Sequence, residues 1–123
     1  MTLSGNQLAA LVHMGVDMIS ADGKVEDAEK AVLINNLNKF GVGPLDGIAI
    51  IKSAHDMKSG DALAILSNMT TEQKKYVAGY LAAIMVSDGD IADSEVKLLS
   101  LISILCAFPD MTIKEALEFW ATH

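Results

Sequence analysis

The sequence predicts an all-α fold of about seven helices, in which two copies of a three-helix unit surround one core. Apolar residues recur with helical spacing along most of the 123 residues, and no sustained run alternates apolar and polar residues as a strand would. One acidic motif also occurs twice, beginning at Asp22 and at Asp88, which are 66 residues apart. We therefore expect one domain over residues 1–123, with repeat halves at about 6–59 and 71–122.

The first four helices are delimited by capping and breaking residues. Ser4 or Asn6 can cap the first helix, and Asp22-Gly23 follows its end, where glycine accepts the backbone conformation that closes a helix. Gly43-Pro44 separates the second helix from the third, because proline fits the first turn of a helix. Gly60 ends the third helix. The predicted ranges are about 6–20, 26–40, 44–59 and 61–68.

The last three helices repeat the order of the first three, and the fourth helix joins the two halves. Thr70 to Gln73 and Thr112 to Glu115 are capping boxes that open the fifth and seventh helices. The sixth helix is apolar almost all round, which is typical of a helix at the centre of a fold. We therefore expect it to be buried. The predicted ranges are about 71–87, 93–107 and 113–122.

Composition and charge exclude several classes of function. The chain has 16 acidic and 9 basic residues, for a net charge of −7, so we expect no nucleic-acid partner, which would require clustered basic residues. The longest uncharged apolar segments, residues 76–86 and 98–108, are too short to span a bilayer, so we expect no direct membrane insertion. With one cysteine, Cys106, and no targeting segment, the expected location is the cytoplasm.

The repeated motif reads Asp-Gly-x-[Val/Ile]-x-Asp-x-Glu, and each copy lies between two helical patterns. Its second half agrees with the EF-hand calcium loop, since Asp22-Gly23 precedes Glu29 at the required spacing and Asp88-Gly89 precedes Glu95. Its first half does not agree, because the preceding ligand positions hold helical and partly apolar residues. Neither loop alone can therefore surround a calcium ion as an EF-hand does.

The two loops together supply enough oxygen ligands for a divalent cation. A pseudo-twofold arrangement brings Asp22, Glu29, Asp88 and Glu95 into one cluster, with Asp27 and Asp93 nearby. Neither loop contains histidine or cysteine, which favours Ca²⁺ first, then Mg²⁺ or Mn²⁺, over structural zinc. The alternative is that the acids only cap helices, since acidic residues in the first turn of a helix are stabilised by its dipole.

These motifs resemble those of the TerB-like family, which is named for a tellurite-resistance accessory protein. The resemblance rests on Ser20-Ala21-Asp22-Gly23-Lys24-Val25 through Glu29, and more loosely on Val86-Ser87-Asp88-Gly89-Asp90-Ile91 through Glu95. It implies an all-helical fold with internal duplication, and a divalent cation bound by Asp22, Glu29, Asp88 and Glu95. Asp27 and Asp93 are outside the family's core pattern. The family is associated with stress resistance, often near membrane partners.

We expect a binding module and not an enzyme. His13, His55 and His123 are scattered, and no serine or cysteine is paired with a base in a recognisable pattern. The predicted function is cation binding coupled to a stress response through protein partners, including membrane-associated ones. The alternative is a metal-free helical scaffold in which the acids are caps. The sequence leaves open whether the chain forms a homodimer.

Overall fold

The computed structural model describes residues 3–20, 35–87 and 93–122 of the chain. These residues contain helices and no strand, which confirms the all-α prediction. Of the helix predicted over 26–40, residues 26–34 lie outside the described ranges, and the end is a short 3-10 helix. In chain order the helices are α1 (Gly5–Ser20), the 3-10 helix (Asn36–Phe40), α2 (Pro44–Asp56), α3 (Ser59–Ser67), α4 (Thr71–Met85), α5 (Asp93–Leu105) and α6 (Ile113–Thr122).

Reciprocal capping boxes open three of these helices. The Ser4 hydroxyl accepts from the Gln7 backbone N–H at 3.2 Å, and the Gln7 side chain accepts from the Ser4 N–H at 2.9 Å. The same pair of bonds joins Thr70 to Gln73 before α4. Ser4 and Thr70 are 66 residues apart, as are Gln7 and Gln73, so both copies of the first repeat helix begin in the same way. The third box, Thr112 with Glu115, opens α6.

The core is built around α1 and α4, the two copies of the first repeat helix. Both helices are buried over most of their length, and α1 contacts α2, α3, α4 and α5. The expectation that the helix over 93–107 is the central one is wrong. Within α5 only Glu95 and Ile102 are buried, whereas Leu101, Ile104 and Leu105 are exposed. An all-round apolar pattern gives no preferred face, so periodicity could not show that one side of α5 faces solvent.

The repeat extends to the hydrogen bonds that end the second helical segment of each half. Gly41 and Ala107 are 66 residues apart and both are left-handed, with φ of 77° and 52°. The amide after each one donates back across the turn, from Val42 to the Leu37 carbonyl at 3.3 Å and from Phe108 to the Ser103 carbonyl at 2.9 Å. These are the bonds of a Schellman motif. Two helical segments with different sequences therefore end with the same backbone geometry.

The two halves pack their third helix differently. His13 on α1 and Gly79 on α4 hold equivalent positions, as do Ala54 on α2 and Trp120 on α6. A Cβ added to Gly79 would lie 2.7 Å from the Trp120 Cβ and 2.9 Å from the Ala116 carbonyl oxygen. The second half thus places a large residue of α6 over a glycine of α4. In the first half the large residue, His13, is on the first helix, and the small residue that it faces, Ala54, is on the third.

Aromatic residues connect the first half to the second. Phe40, in the 3-10 helix, lies 5.6 Å from the Trp120 ring and 6.4 Å from the Tyr80 ring. The Lys39 ammonium lies 4.3 Å from the Trp120 ring centre, within range of a cation–π interaction, and desolvation lowers its pKa. Burial raises the pKa of Tyr80. No helix within the described ranges is both long and apolar enough to cross a bilayer.

Candidate functional site

Among the described residues of the repeated acidic motif, Glu95 has the most unusual environment. It is the third residue of α5, in the first turn, and its exposed fraction is 2%. It is the only charged residue among the described residues that is buried. Transfer of a carboxylate from water to a protein interior is costly unless a cation or hydrogen-bond donors compensate. The positive end of the α5 dipole supplies part of that compensation.

Asp93 lies beside Glu95 in sequence but not in space. Asp93 is exposed, and residues two apart on a helix do not share a face. The start of α5 therefore directs the two carboxylates to different sides, one toward the interior and one toward solvent. Of the six predicted ligands, Asp22, Asp27, Glu29 and Asp88 lie outside the described residues. Among the residues that are described, no three acidic, histidine or cysteine side chains come together.

The helix that precedes each motif loop is well defined. α1 ends at Ser20 and α4 at Met85, directly before the two loops, and their equivalent last-turn residues are buried. These residues are Met18 and Ile19 on α1, and Ile84 and Met85 on α4. At the end of α4 the Ser87 hydroxyl donates to the Ile84 carbonyl at 2.7 Å. Each motif loop therefore follows a helix whose last turn is packed in the core.

A second polar cluster was not anticipated from the sequence. On α1 the His13 Nδ1 lies 2.8 Å from the Ala54 carbonyl oxygen, and its Nε2 lies 2.9 Å from the Ser59 hydroxyl. The same hydroxyl lies 3.1 Å from Asp17 Oδ2, which is 3.5 Å from His13 Nε2. The sequence shows no recognisable pattern that pairs a serine with a base, and the structure nevertheless places Ser59 beside His13. Only His13 and Asp17 carried a sequence signal, as an i, i+4 pair, because Ser59 is 46 residues from His13.

Each half also has an apolar groove between its second and third helical segments. Leu37, Val42 and Gly47 line the groove of the first half. The residues 66 positions later, Ser103, Phe108 and Ile113, line the groove of the second half. In the second half the groove adjoins exposed apolar residues of α5, with Ile104 exposed to 77%. The duplicated fold thus presents two related apolar surfaces.

Comparison with known proteins agrees with this duplicated helical fold. The family model described as tellurite resistance protein TerB matches residues 7–117. The chain belongs to the TerB family. Its fold is also that of a crystallised protein of unknown function from Porphyromonas gingivalis W83. That structure has a TM-score of 0.88 and 41% sequence identity over 100% of this chain and 99% of that one. No curated protein matches the chain.

Membership of the TerB family confirms the resemblance predicted from the two acidic motifs. The matched region begins in α1 and ends in α6, so it includes both motif loops and all the described helices between them. The match therefore covers most of both halves of the chain.

Proposed function

We propose that this TerB-family protein binds a divalent cation through its two acidic loops, and that the cation joins the two halves of the fold. The supporting observation is the buried Glu95 carboxylate at a motif position. A buried carboxylate at a helix N-terminus is a suitable ligand for a cation that prefers oxygen ligands. Asp22, Glu29 and Asp88 would supply the other carboxylates, with Asp27 and Asp93 outside the inner set. Ca²⁺ fits such ligands first, followed by Mg²⁺ and Mn²⁺.

The test is a thermal melt of chelator-stripped protein with each cation in turn. A cation that binds only the folded state stabilises it by about 2.7 kcal/mol at a hundredfold excess over Kd. The expected result is a rise in melting temperature that Glu95→Gln abolishes and Asp93→Asn preserves. This pair is matched, because both variants remove one charge from the first turn of α5 and only Glu95 is buried.

Each outcome of the melt decides between two functions. If the rise is lost in Glu95→Gln and kept in Asp93→Asn, Glu95 is a ligand. If no cation changes the melting temperature of the unmodified protein, the proposal fails and the acids are helix caps on a metal-free scaffold. Isothermal titration with the same cations gives an independent measure of binding, since it does not depend on unfolding.

We further propose that the bound cation is coupled to a protein partner in a stress response, the setting that the family's name suggests. α5 carries Glu95 in its first turn and exposed apolar side chains at Leu101, Ile104 and Leu105 near its end. Their i, i+3 and i+4 spacing places them on one face of the helix. A cation at the start of α5 would fix the orientation of this face. Exposed apolar patches of this kind commonly mark interaction sites.

The coupling is tested by affinity capture with the protein immobilised, once with Ca²⁺ and once with chelator. The proposal predicts a protein that is retained only with Ca²⁺ and is lost in Ile104→Ser. Val16→Ser is the control, because Val16 is also an exposed β-branched residue but lies on α1 and lines neither apolar groove. If both variants retained the partner protein equally well, the apolar face of α5 would not be its binding site.

A further inference from the structure

The cluster of His13, Asp17 and Ser59 lies at the junction of the first half with the connecting helix α3. His13 and Asp17 belong to α1, Ala54 lies near the end of α2, and Ser59 begins α3. The side chain of His13 is only 14% exposed, and both of its ring nitrogens are in contact with another residue. The second half has Gly79 at the position equivalent to His13, so the cluster is particular to the first half.

Counting hydrogens shows that the cluster is complete only when His13 is protonated. The Ala54 carbonyl can only accept, so Nδ1 must carry a hydrogen, and in the neutral ring Nε2 is then an acceptor. The Ser59 hydroxyl has a single hydrogen but faces two acceptors, Nε2 at 2.9 Å and Asp17 Oδ2 at 3.1 Å. One of these two contacts therefore lacks a hydrogen while the ring is neutral.

Protonation supplies the missing hydrogen. The imidazolium Nε2–H donates to the Ser59 oxygen, and Ser59 then donates to Asp17, so both contacts become hydrogen bonds. The positive ring also lies 3.5 Å from the Asp17 carboxylate. We propose that His13, Asp17 and Ser59 form a proton-controlled clasp, which holds α3 against α1 when the His13 ring is protonated.

Five titratable residues of the neighbouring helices lie near the cluster in sequence. α2 carries Lys52, His55 and Asp56 near its end, and α3 has Lys58 before it and Asp61 in its first turn. All five are exposed. Within the described part of the chain, Asp17 is the one acidic side chain that lies within ion-pair distance of His13.

The direction of the pH dependence follows from which state holds the proton. The folded clasp uses a proton on His13 for its hydrogen bonds, whereas the unfolded chain has no such arrangement. The stability gained through this proton is therefore present at pH 5.5 and absent at pH 8. Removal of the Ser59 hydroxyl should consequently be more destabilising at pH 5.5 than at pH 8.

The test is a set of thermal melts of the full chain in chelator at pH 8 and pH 5.5. The deficit in melting temperature of Ser59→Ala should grow by about 3 °C on acidification. The control Ser100→Ala removes an exposed helical serine on α5 and should show the same deficit at both pH values. A deficit for Ser59→Ala that does not change with pH would overturn the proposal.

Nitrogen NMR of the histidine rings provides a readout that does not depend on stability. At pH 8 His13 should be the Nδ1–H tautomer, and at pH 5.5 both ring hydrogens should exchange slowly with water. Exposed His55 is the internal control and should show neither property. A hydrogen on Nε2 at pH 8, with Nδ1 deprotonated, would contradict the hydrogen count and the clasp.

Discussion

Gln7 and Gln73, which are 66 residues apart and equivalent in the two halves, contact each other: Nε2 of Gln73 lies 3.5 Å from Oε1 of Gln7. Each is also the third residue of its helix and closes the capping box that opens it. One of the contacts between the two halves therefore lies where both of their first helices begin. The relationship between the halves can be followed from this contact outward.

The two equivalent caps should have similar energetic value. Ser4→Ala and Thr70→Ala each remove a hydroxyl that accepts from the backbone at the start of a core helix, and each should cost about 1 kcal/mol of unfolding free energy. Ser4→Asn and Thr70→Asn should cost much less, because asparagine also caps helices. Urea denaturation measures all four variants. If only one of the two alanine variants lost stability, the two caps would be equivalent in geometry but not in their contribution to the unfolding free energy.

The left-handed residues Gly41 and Ala107 provide a reciprocal pair of substitutions. A left-handed conformation costs an L-residue roughly 1–2 kcal/mol, and glycine avoids this at an entropic cost of about 0.4–1 kcal/mol in the unfolded chain. Ala107→Gly should therefore stabilise the fold, by about 0.5–1 kcal/mol. Gly41→Ala should destabilise it by a similar amount, although nothing lies within 4 Å of an added Cβ. Effects of the same sign in both variants would contradict this account.

Close packing of α6 on α4 depends on Gly79. An added Cβ would meet backbone as well as side-chain atoms of α6, so Gly79→Ala should force the helices apart and cost about 1–3 kcal/mol. Gly60→Ala is the matched control, because Gly60 is helical and has open space around it. That change should be neutral or stabilising, since alanine is the better helix former. A stable Gly79→Ala protein would mean that α6 can shift without loss of packing.

The helices and the duplication could be predicted from the sequence because their signals are local. The capping boxes at Thr70 and Thr112 depend on residues three positions apart, and the motif repeat needs only comparison of the chain with itself. The Ser4–Gln7 box was also readable as a Ser-x-x-Gln pattern, although only Ser4 or Asn6 as a cap was predicted.

Relationships between distant residues could not be predicted in this way. The contact of His13 with Ser59 depends on how α1 meets the start of α3, and no sequence period encodes it. For the proposed metal site, the sequence placed Glu95 in the main set of four carboxylates and Asp93 outside it, but could not show which of the two is buried. The structure distinguishes the two residues by burial, because α5 is oriented so that Glu95 faces the interior and Asp93 faces solvent.

Cys106 should be an inert thiol. Its side chain is buried, and burial raises the thiol pKa while nearby Lys74 opposes that rise to a smaller extent. Its Sγ also lies 3.4 Å from the Leu63 carbonyl oxygen. Iodoacetamide at pH 8 should therefore alkylate the native protein far more slowly than the urea-unfolded chain, since both burial and a low thiolate fraction slow the reaction. Equal rates in the two states would show that the end of α5 opens readily.

The orientation of α5 can be tested with two isoleucines of the same helix. Ile102 is buried against the core, whereas Ile104 is 77% exposed. Ile102→Ala should cost about 2–5 kcal/mol through lost burial and a cavity, and Ile104→Ala should lie within about 0.5 kcal/mol of the unmodified protein. Urea denaturation of dilute, metal-free protein gives both values. If Ile104→Ala proved as costly as Ile102→Ala, the apolar face of α5 would be covered in solution. A cost for Ile104→Ala that increases with protein concentration would identify the covering surface as a second copy of the chain, because only self-association depends on concentration in this way.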